Sequence, residues 1–206
     1  MLKRTKGRLL LSLLVITGLA GTINDTSLSK QERKFAVNYY KETKNDLLGS
    51  VKGLSEKQLN FKPAADRWSV KETFYHITMA EKGLWELFES NMKAPATPEK
   101  RVDIKLTDEQ IIPMITDRSK KAKAPEQIQP DKSPWKSMDE VTSAFKSVRS
   151  DHLKYVKTTT EDLRNHVIPL SFGSLDGYQF VLFVAAHTSR HTQQIKEIKA
   201  DPNFPK

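Results

Sequence analysis

The sequence contains no cysteine. That absence removes disulfides, thiolate metal ligands, a cysteine nucleophile and a lipid-modified cysteine anchor together. Glycine is scarce, at 8 of 206 residues, which argues against an all-β fold built on tight turns. Lysine and arginine are scattered, with no clustered basic stripe and no nucleic-acid-reading motif, so no nucleic-acid partner is expected. What remains is a chain that is 37% hydrophobic and 29% charged, long enough for one globular domain with a proper core.

The N-terminus differs from the rest. Lys3, Arg4, Lys6 and Arg8 precede an apolar run at 9–21, broken only by Ser12 and Thr17. Gly18 and Ala20 stand at the −3 and −1 positions of a cleavage site, the layout of a secretory signal peptide. A membrane-spanning helix needs roughly 20 apolar residues, more than this run supplies. The reading is therefore a signal peptide at 1–21, cleavage near Gly21 or Thr22, an exported (periplasmic or secreted) mature chain, and no membrane association afterwards. Without the four basic residues of the signal, 30 Lys and Arg face 25 Asp and Glu, and the net charge falls from +9 to +5.

Four segments carry helical periodicity within an expected domain at 29–200. The first is 29–54, where Ser29 and Glu32 form a capping box and Phe35, Tyr39, Leu47, Val51 and Leu54 recur at helical spacing. The second is 69–92, opened by Ser69 and Glu72 in a second capping box. The third is 137–158, where Met138, Val141, Phe145, Val148, His152 and Tyr155 alternate at spacings of three and four, an a/d seam. The fourth is 176–199, with Asp176 as N-cap. Between the second and third, 93–135 holds six of the ten prolines, with a short helix expected at 107–118, interrupted near Pro113. No repeat and no strand pattern is evident. These elements predict an all-α fold: an up-and-down or crossed four-helix bundle with a long loop between the second and third helices.

His187 and His191 lie four apart on the fourth helix, so their rings sit about 40° apart on one face, one turn above the other. Two imidazoles so placed can reach one divalent ion. The intervening residues are Thr188, Ser189 and Arg190, so this is not HExxH, and the base of a zincin is missing. Both histidines fall on the apolar stripe, where an unshared pair of polar rings is costly. His76 is the candidate third ligand: its helix face reads Thr73, His76, Ala80, Gly83, Leu87, and the small residues allow close helix approach. Three imidazoles leave a position open for water or substrate. They suit zinc, nickel, iron(II) or copper without choosing among them.

Other residues are weighed beside these. His152, on the seam of the third helix, is read as a core residue or a hydrogen-bond partner of a ligand before a fourth ligand. His166 is read as a surface residue. Trp68 is read as a core anchor at the helix entry. Tyr75 and Arg190 adjoin ligands and should point partly away from a metal. Gln194, three beyond His191, can reach back to it as an outer hydrogen-bond partner. Glu72 lies one turn before His76, but capping competes for its carboxylate. Without two Glu-x-x-His units a ferritin-like di-iron site is excluded.

The run Leu54-Ser-Glu-Lys-Gln-Leu59, then Trp68-Ser-Val-Lys-Glu72 leading into Tyr75-His-Ile77, and finally His187-Thr-Ser-Arg-His191 followed by Gln194-Ile195, resembles the DinB-like superfamily of metal-binding bundles. The order of one His, a long gap, then HxxxH is the most diagnostic part. The resemblance implies that His76, His187 and His191 bind one divalent metal. It implies no single reaction, since the family includes thiol-dependent S-transferases, a maleylpyruvate isomerase and members of unknown activity. The expectation is an exported metal-dependent hydrolase or transferase of a small molecule, with a non-catalytic metal-binding or structural bundle as the alternative. A homodimer is left open. Export counts against a thiol cosubstrate, because small thiols are kept reduced mainly in the cytoplasm.

Overall fold

The computed structural model describes residues 27–120 and 123–206; the predicted signal peptide lies outside them. Four long helices dominate: α1 (Lys30–Val51), α3 (Val70–Lys93), α5 (Met138–Thr158) and α6 (Gly177–Lys199). Each begins where the capping residues place it. Ser29 with Glu32, Ser69 with Glu72 and Asp176 with Gln179 form reciprocal capping boxes, and Ser137 accepts from the Glu140 amide. These contacts satisfy amides that the first turn leaves free.

α1 packs on α6 and α5, and α3 packs on α6 and α5, so the consecutive pairs α1/α3 and α5/α6 lie on the diagonals. Contacts between side chains give the directions. Tyr40 meets Val181 and Lys199 meets Ser50, so α1 and α6 are parallel. Phe74 meets Phe145 and Phe88 meets Tyr155, so α3 and α5 are parallel. His76 meets His191 and Phe88 meets Phe180, so α3 and α6 are antiparallel. The order is up-down-down-up, a crossed bundle. Two consecutive parallel helices need a connection that returns their full length, about 36 Å for the 24 residues of α3. This accounts for the long segment between α3 and α5.

That connection is organised. It contains α4 (Asp108–Thr116), capped by Thr107 and packed on α6. The expected interruption at Pro113 does not occur. Pro113 and Glu109 are both exposed, so the carbonyl that loses its amide partner can turn to water. A single turn, α2 (Glu56–Leu59), interrupts the stretch between α1 and α3.

The absence of strands also needs correction. β1 (Val167–Leu170) and β2 (Gly173–Asp176) form a two-stranded antiparallel hairpin between α5 and α6, Val167 opposite Asp176 and Leu170 opposite Gly173. Its strands are four residues long and one carries Pro169, too short and irregular for alternation to register. Gly173 takes the turn at φ +133°, a conformation open to glycine. At the start of α6 the Gly177 amide donates to Leu163 O at 2.7 Å, and a Cβ there would sit 2.8 Å from that oxygen. Only glycine permits the approach.

The core has two apolar halves. One gathers Tyr40, Phe88, Val156, Phe180 and Val184; the other gathers Leu47, Phe74, Phe145 and Ile195. Between them runs a buried polar layer with one or more residues from every long helix: Thr43, Glu81, Arg149, His152 and Thr188. Arg149 donates to Glu81 through Nη2, to Thr188 Oγ1 at 2.8 Å and to Thr43 Oγ1 at 3.1 Å. Thr188 Oγ1 in turn lies 2.6 Å from Glu81 Oε1.

Candidate metal centre

The antiparallel pairing of α3 and α6 brings His76 opposite His187 and His191. One ring nitrogen from each lies within 4.8 Å of the others. No other such group of potential ligands occurs among the described residues. Ring centroids are 4.5 Å apart for His76–His191 and His187–His191, and 5.3 Å for His76–His187.

Outer hydrogen bonds decide which nitrogens face inward. His76 Nδ1 lies 2.9 Å from Ile128 O. A carbonyl only accepts, so Nδ1 carries the proton. His191 Nδ1 lies 3.0 Å from Gln194 Oε1, an oxygen that also accepts from Arg118 Nη1 at 3.4 Å. It too carries the proton. Both Nε2 atoms are therefore bare lone pairs, and they face each other at 3.2 Å. Two nitrogens bound to one tetrahedral ion with bonds of about 2.05 Å stand about 3.3 Å apart. The separation fits a shared cation, while two unshared lone pairs at that distance repel. His187 packs on Phe183 at 6.3 Å between centroids and makes no hydrogen bond among the described residues.

The electrostatics agree. Burial lowers the pKa of His76, partly offset by the Ile128 carbonyl. Burial and then the neighbouring His191 and His76 hold His187 well below its ordinary value. Burial and then His76 push His191 down to about 3. All three rings are neutral near pH 7, the form a metal ligand requires.

Trp68 is the clearest departure from the sequence reading. It is half-buried and belongs to neither apolar half; its ring lies 4.8 Å from that of His76 and 6.4 Å from that of His191. It walls the site. Phe183 packs edge-on to His187, and Phe172 at the hairpin tip, 46% exposed, packs edge-on to Phe183 at 5.6 Å. Tyr75 turns away to Trp135. Arg190 also points away, donating to the carbonyls of Ile115, Asp117 and Lys120 at the end of α4. Glu72 is occupied by its cap and by Lys62 at 2.7 Å.

His152 does not join the triad. It stacks on Trp85 at 3.8 Å, and its Nδ1 lies 3.1 Å from Glu81 Oε2, close enough for attraction but not aligned as a hydrogen bond. His166 is half-buried and bridges Asp162 O at 2.7 Å and Ala94 O at 3.1 Å; it is a tie between loops rather than a free surface residue. Two cavities of about 450 and 420 Å³ lie elsewhere. The first is lined by Arg101, Asp108, Arg164 and Asp176, the second by Leu48, Val51, Leu59 and Met138, and neither reaches a triad histidine.

Residues 39–195 match the DinB superfamily. The chain belongs to that family. It is 27% identical to the uncharacterized protein YuaE of Bacillus subtilis (strain 168) over 165 residues, 79% of this chain and 96% of that protein. Its fold is similar to that of YfiT from Bacillus subtilis, described as a probable metal-dependent hydrolase with an unusual four-helix bundle topology. The TM-score is 0.59 at 12% identity, covering 87% of this chain and 92% of the other.

Proposed function

We propose that this DinB-family protein is an exported, divalent-metal-dependent enzyme, a hydrolase or transferase of small molecules, with His76, His187 and His191 as its metal ligands. The observation that carries this reading is the pair of bare Nε2 lone pairs 3.2 Å apart, each fixed by an acceptor behind it. A divalent cation held by these three residues would supply Lewis-acid chemistry. The chain supplies the rest. Three neutral ligands leave the cation its full charge, Trp68 shields one side, and Phe183 with Phe172 offers an apolar rest for the body of a substrate. YfiT, with the same fold, is described as a probable metal-dependent hydrolase, and that supports the hydrolase version.

One observation favours a second reading, a non-catalytic metal-binding protein: among the described residues no carboxylate joins the histidine cluster. Metal analysis of untagged protein, followed by a screen of ester, amide and thiol-transfer substrates with and without apolar groups, separates the two. Bound metal with turnover that a chelator abolishes supports the enzyme; bound metal without turnover supports the binding protein. Export is tested by N-terminal sequencing of protein from the native host, where an intact Met1 overturns it.

A further inference from the structure

The strongest unassigned feature is a chain of contacts that runs from the crossover connection to the metal-facing atom of His191. Arg118, just beyond α4, grips Glu197 with two hydrogen bonds, Nε to Oε1 at 2.6 Å and Nη2 to Oε2 at 2.8 Å. Its remaining Nη1 reaches Gln194 Oε1 at 3.4 Å. That oxygen receives His191 Nδ1 at 3.0 Å. The backbone on either side of Arg118 is held to α6 by Arg190, which binds the carbonyls of Asp117 and Lys120. The guanidinium is thus fixed at both its side chain and its main chain.

A glutamine amide has two ends of nearly the same shape. With its oxygen toward His191, Nδ1 must carry the proton and Nε2 is bare. With its NH₂ toward His191, Nδ1 must accept, the proton moves to Nε2, and that nitrogen cannot bind a metal. Arg118 has only donors, so it tolerates only the oxygen. We propose that Arg118 is a positioning residue for the metal centre: it locks the Gln194 amide so that His191 keeps its Nε2 lone pair free. The inference rests on the metal-ligand reading for its affinity arm and is independent of it for its tautomer arm. Its consequence is that the long connection is part of the site, since it holds both outer partners: Ile128 O behind His76, and Arg118 behind the partner of His191.

The test uses metal-free full-length protein and long-range ¹H–¹⁵N NMR of the histidine rings at pH 7.5, then titration with Zn²⁺ and Co²⁺. In the unaltered protein His191 is protonated at Nδ1. In Arg118→Met it becomes a mixture of tautomers, and Zn²⁺ affinity falls by about 10–100-fold, the usual cost of losing an outer partner. The deciding variant is Gln194→Glu. A carboxylate presents oxygen whichever way it turns, so adding Arg118→Met to Gln194→Glu changes neither the His191 tautomer nor, beyond about twofold, the affinity. A loss from Arg118→Met that persists undiminished in the Gln194→Glu background overturns the proposal, because Arg118 would then act only by docking the connection. An unchanged tautomer in Arg118→Met, in protein shown by circular dichroism to be folded, overturns it as well. A tautomer shift in a protein that binds neither cation upholds the positioning role and removes the metal reading instead.

Discussion

Two polar clusters stand side by side at the middle of this bundle, and they are opposites. The inner one, around Glu81 and Arg149, balances its own charge. Burial alone would raise the Glu81 carboxyl, but Arg149, His152 and Thr188 overcome it and hold the group below its ordinary value. The outer one, His76, His187 and His191, is three neutral rings, two of which turn Nε2 lone pairs toward each other, with no positive charge to share. His187 and Thr188 are consecutive in α6, yet one belongs to each cluster. The difference teaches how to tell a polar core from a binding site. A cluster whose opposite charges pair across helices holds them in register, even with Glu81 Oε2, Arg149 Nε and His152 Nδ1 left without a hydrogen bond; a cluster of neutral rings that converge on one point has the form of a ligand site.

The largest expected effect breaks the closed cluster. Arg149→Ala leaves Glu81 charged and unpaired in the core, and urea unfolding should show a loss of about 3–5 kcal/mol. Replacing both partners, Glu81→Leu with Arg149→Met, should recover most of it, because an apolar pair carries no desolvation cost. If the single variant unfolds within about 1 kcal/mol of the original, the inner layer is not the charge-balanced unit described.

Breaking the open cluster should affect metal before stability. His76→Ala, His187→Ala and His191→Ala should each lower bound metal sharply while the helical signal at 25 °C persists. A chelator should reduce the melting temperature at pH 7.5 by about 5–10 °C, given about 2.7 kcal/mol of linkage at a hundredfold excess over Kd. An unchanged melting temperature in a sample that held metal beforehand would count against the site.

The pH dependence sharpens the contrast. All three triad pKa values are depressed, His191 to about 3, whereas an unfolded imidazole titrates near 6.5. Between these values the unfolded chain binds protons that the folded one refuses. The His191 contribution to stability of the metal-free protein is therefore complete above about pH 6.5 and declines as pH falls toward 3, by up to about 1.4 kcal/mol per pH unit; His76 and His187 act in the same direction. Metal-free His191→Leu should lose less stability between pH 7 and pH 4.5 than the unaltered protein. Equal losses would show that His191 is not the buried neutral group assigned here.

The smallest effect separates the neighbours on α6. Thr188→Val removes a hydroxyl bonded to Arg149 and Glu81 and should cost about 1–2 kcal/mol, with bound metal unchanged. A loss of metal would mean that the two clusters are one.

Much of the frame was readable in the sequence because it is local. A capping box uses residues three apart, and at Ser29 and Ser69 the helix starts follow from it, as the α6 start follows from the single N-cap residue Asp176. The four-residue spacing of His187 and His191 and the three-residue step to Gln194 are equally local. The inner layer was invisible for the opposite reason. Glu81 and Arg149 sit among ordinary charged positions, and only the crossed packing of α3, α5 and α6 turns them inward. Ile128 contributes a main-chain carbonyl, which leaves no trace in residue identity. Trp68 reads as any aromatic before a helix until α6 arrives beneath it. The hairpin escaped because four residues are too few to show a period.

α6 touches α1, α3 and α4, and fourteen of its residues are buried, from Gly177 to Ile198. It is also the last of the described elements to leave the ribosome. Until it emerges, α1 and α3 can close only on α5, the surfaces that α6 covers stay open, and His76 waits for a partner 115 positions downstream. Contacts of that span form only after the chain has closed a long loop. The proposed metal centre is then a reporter of finished topology: a cation offered to the refolding chain should be captured after the helical signal has returned, not before.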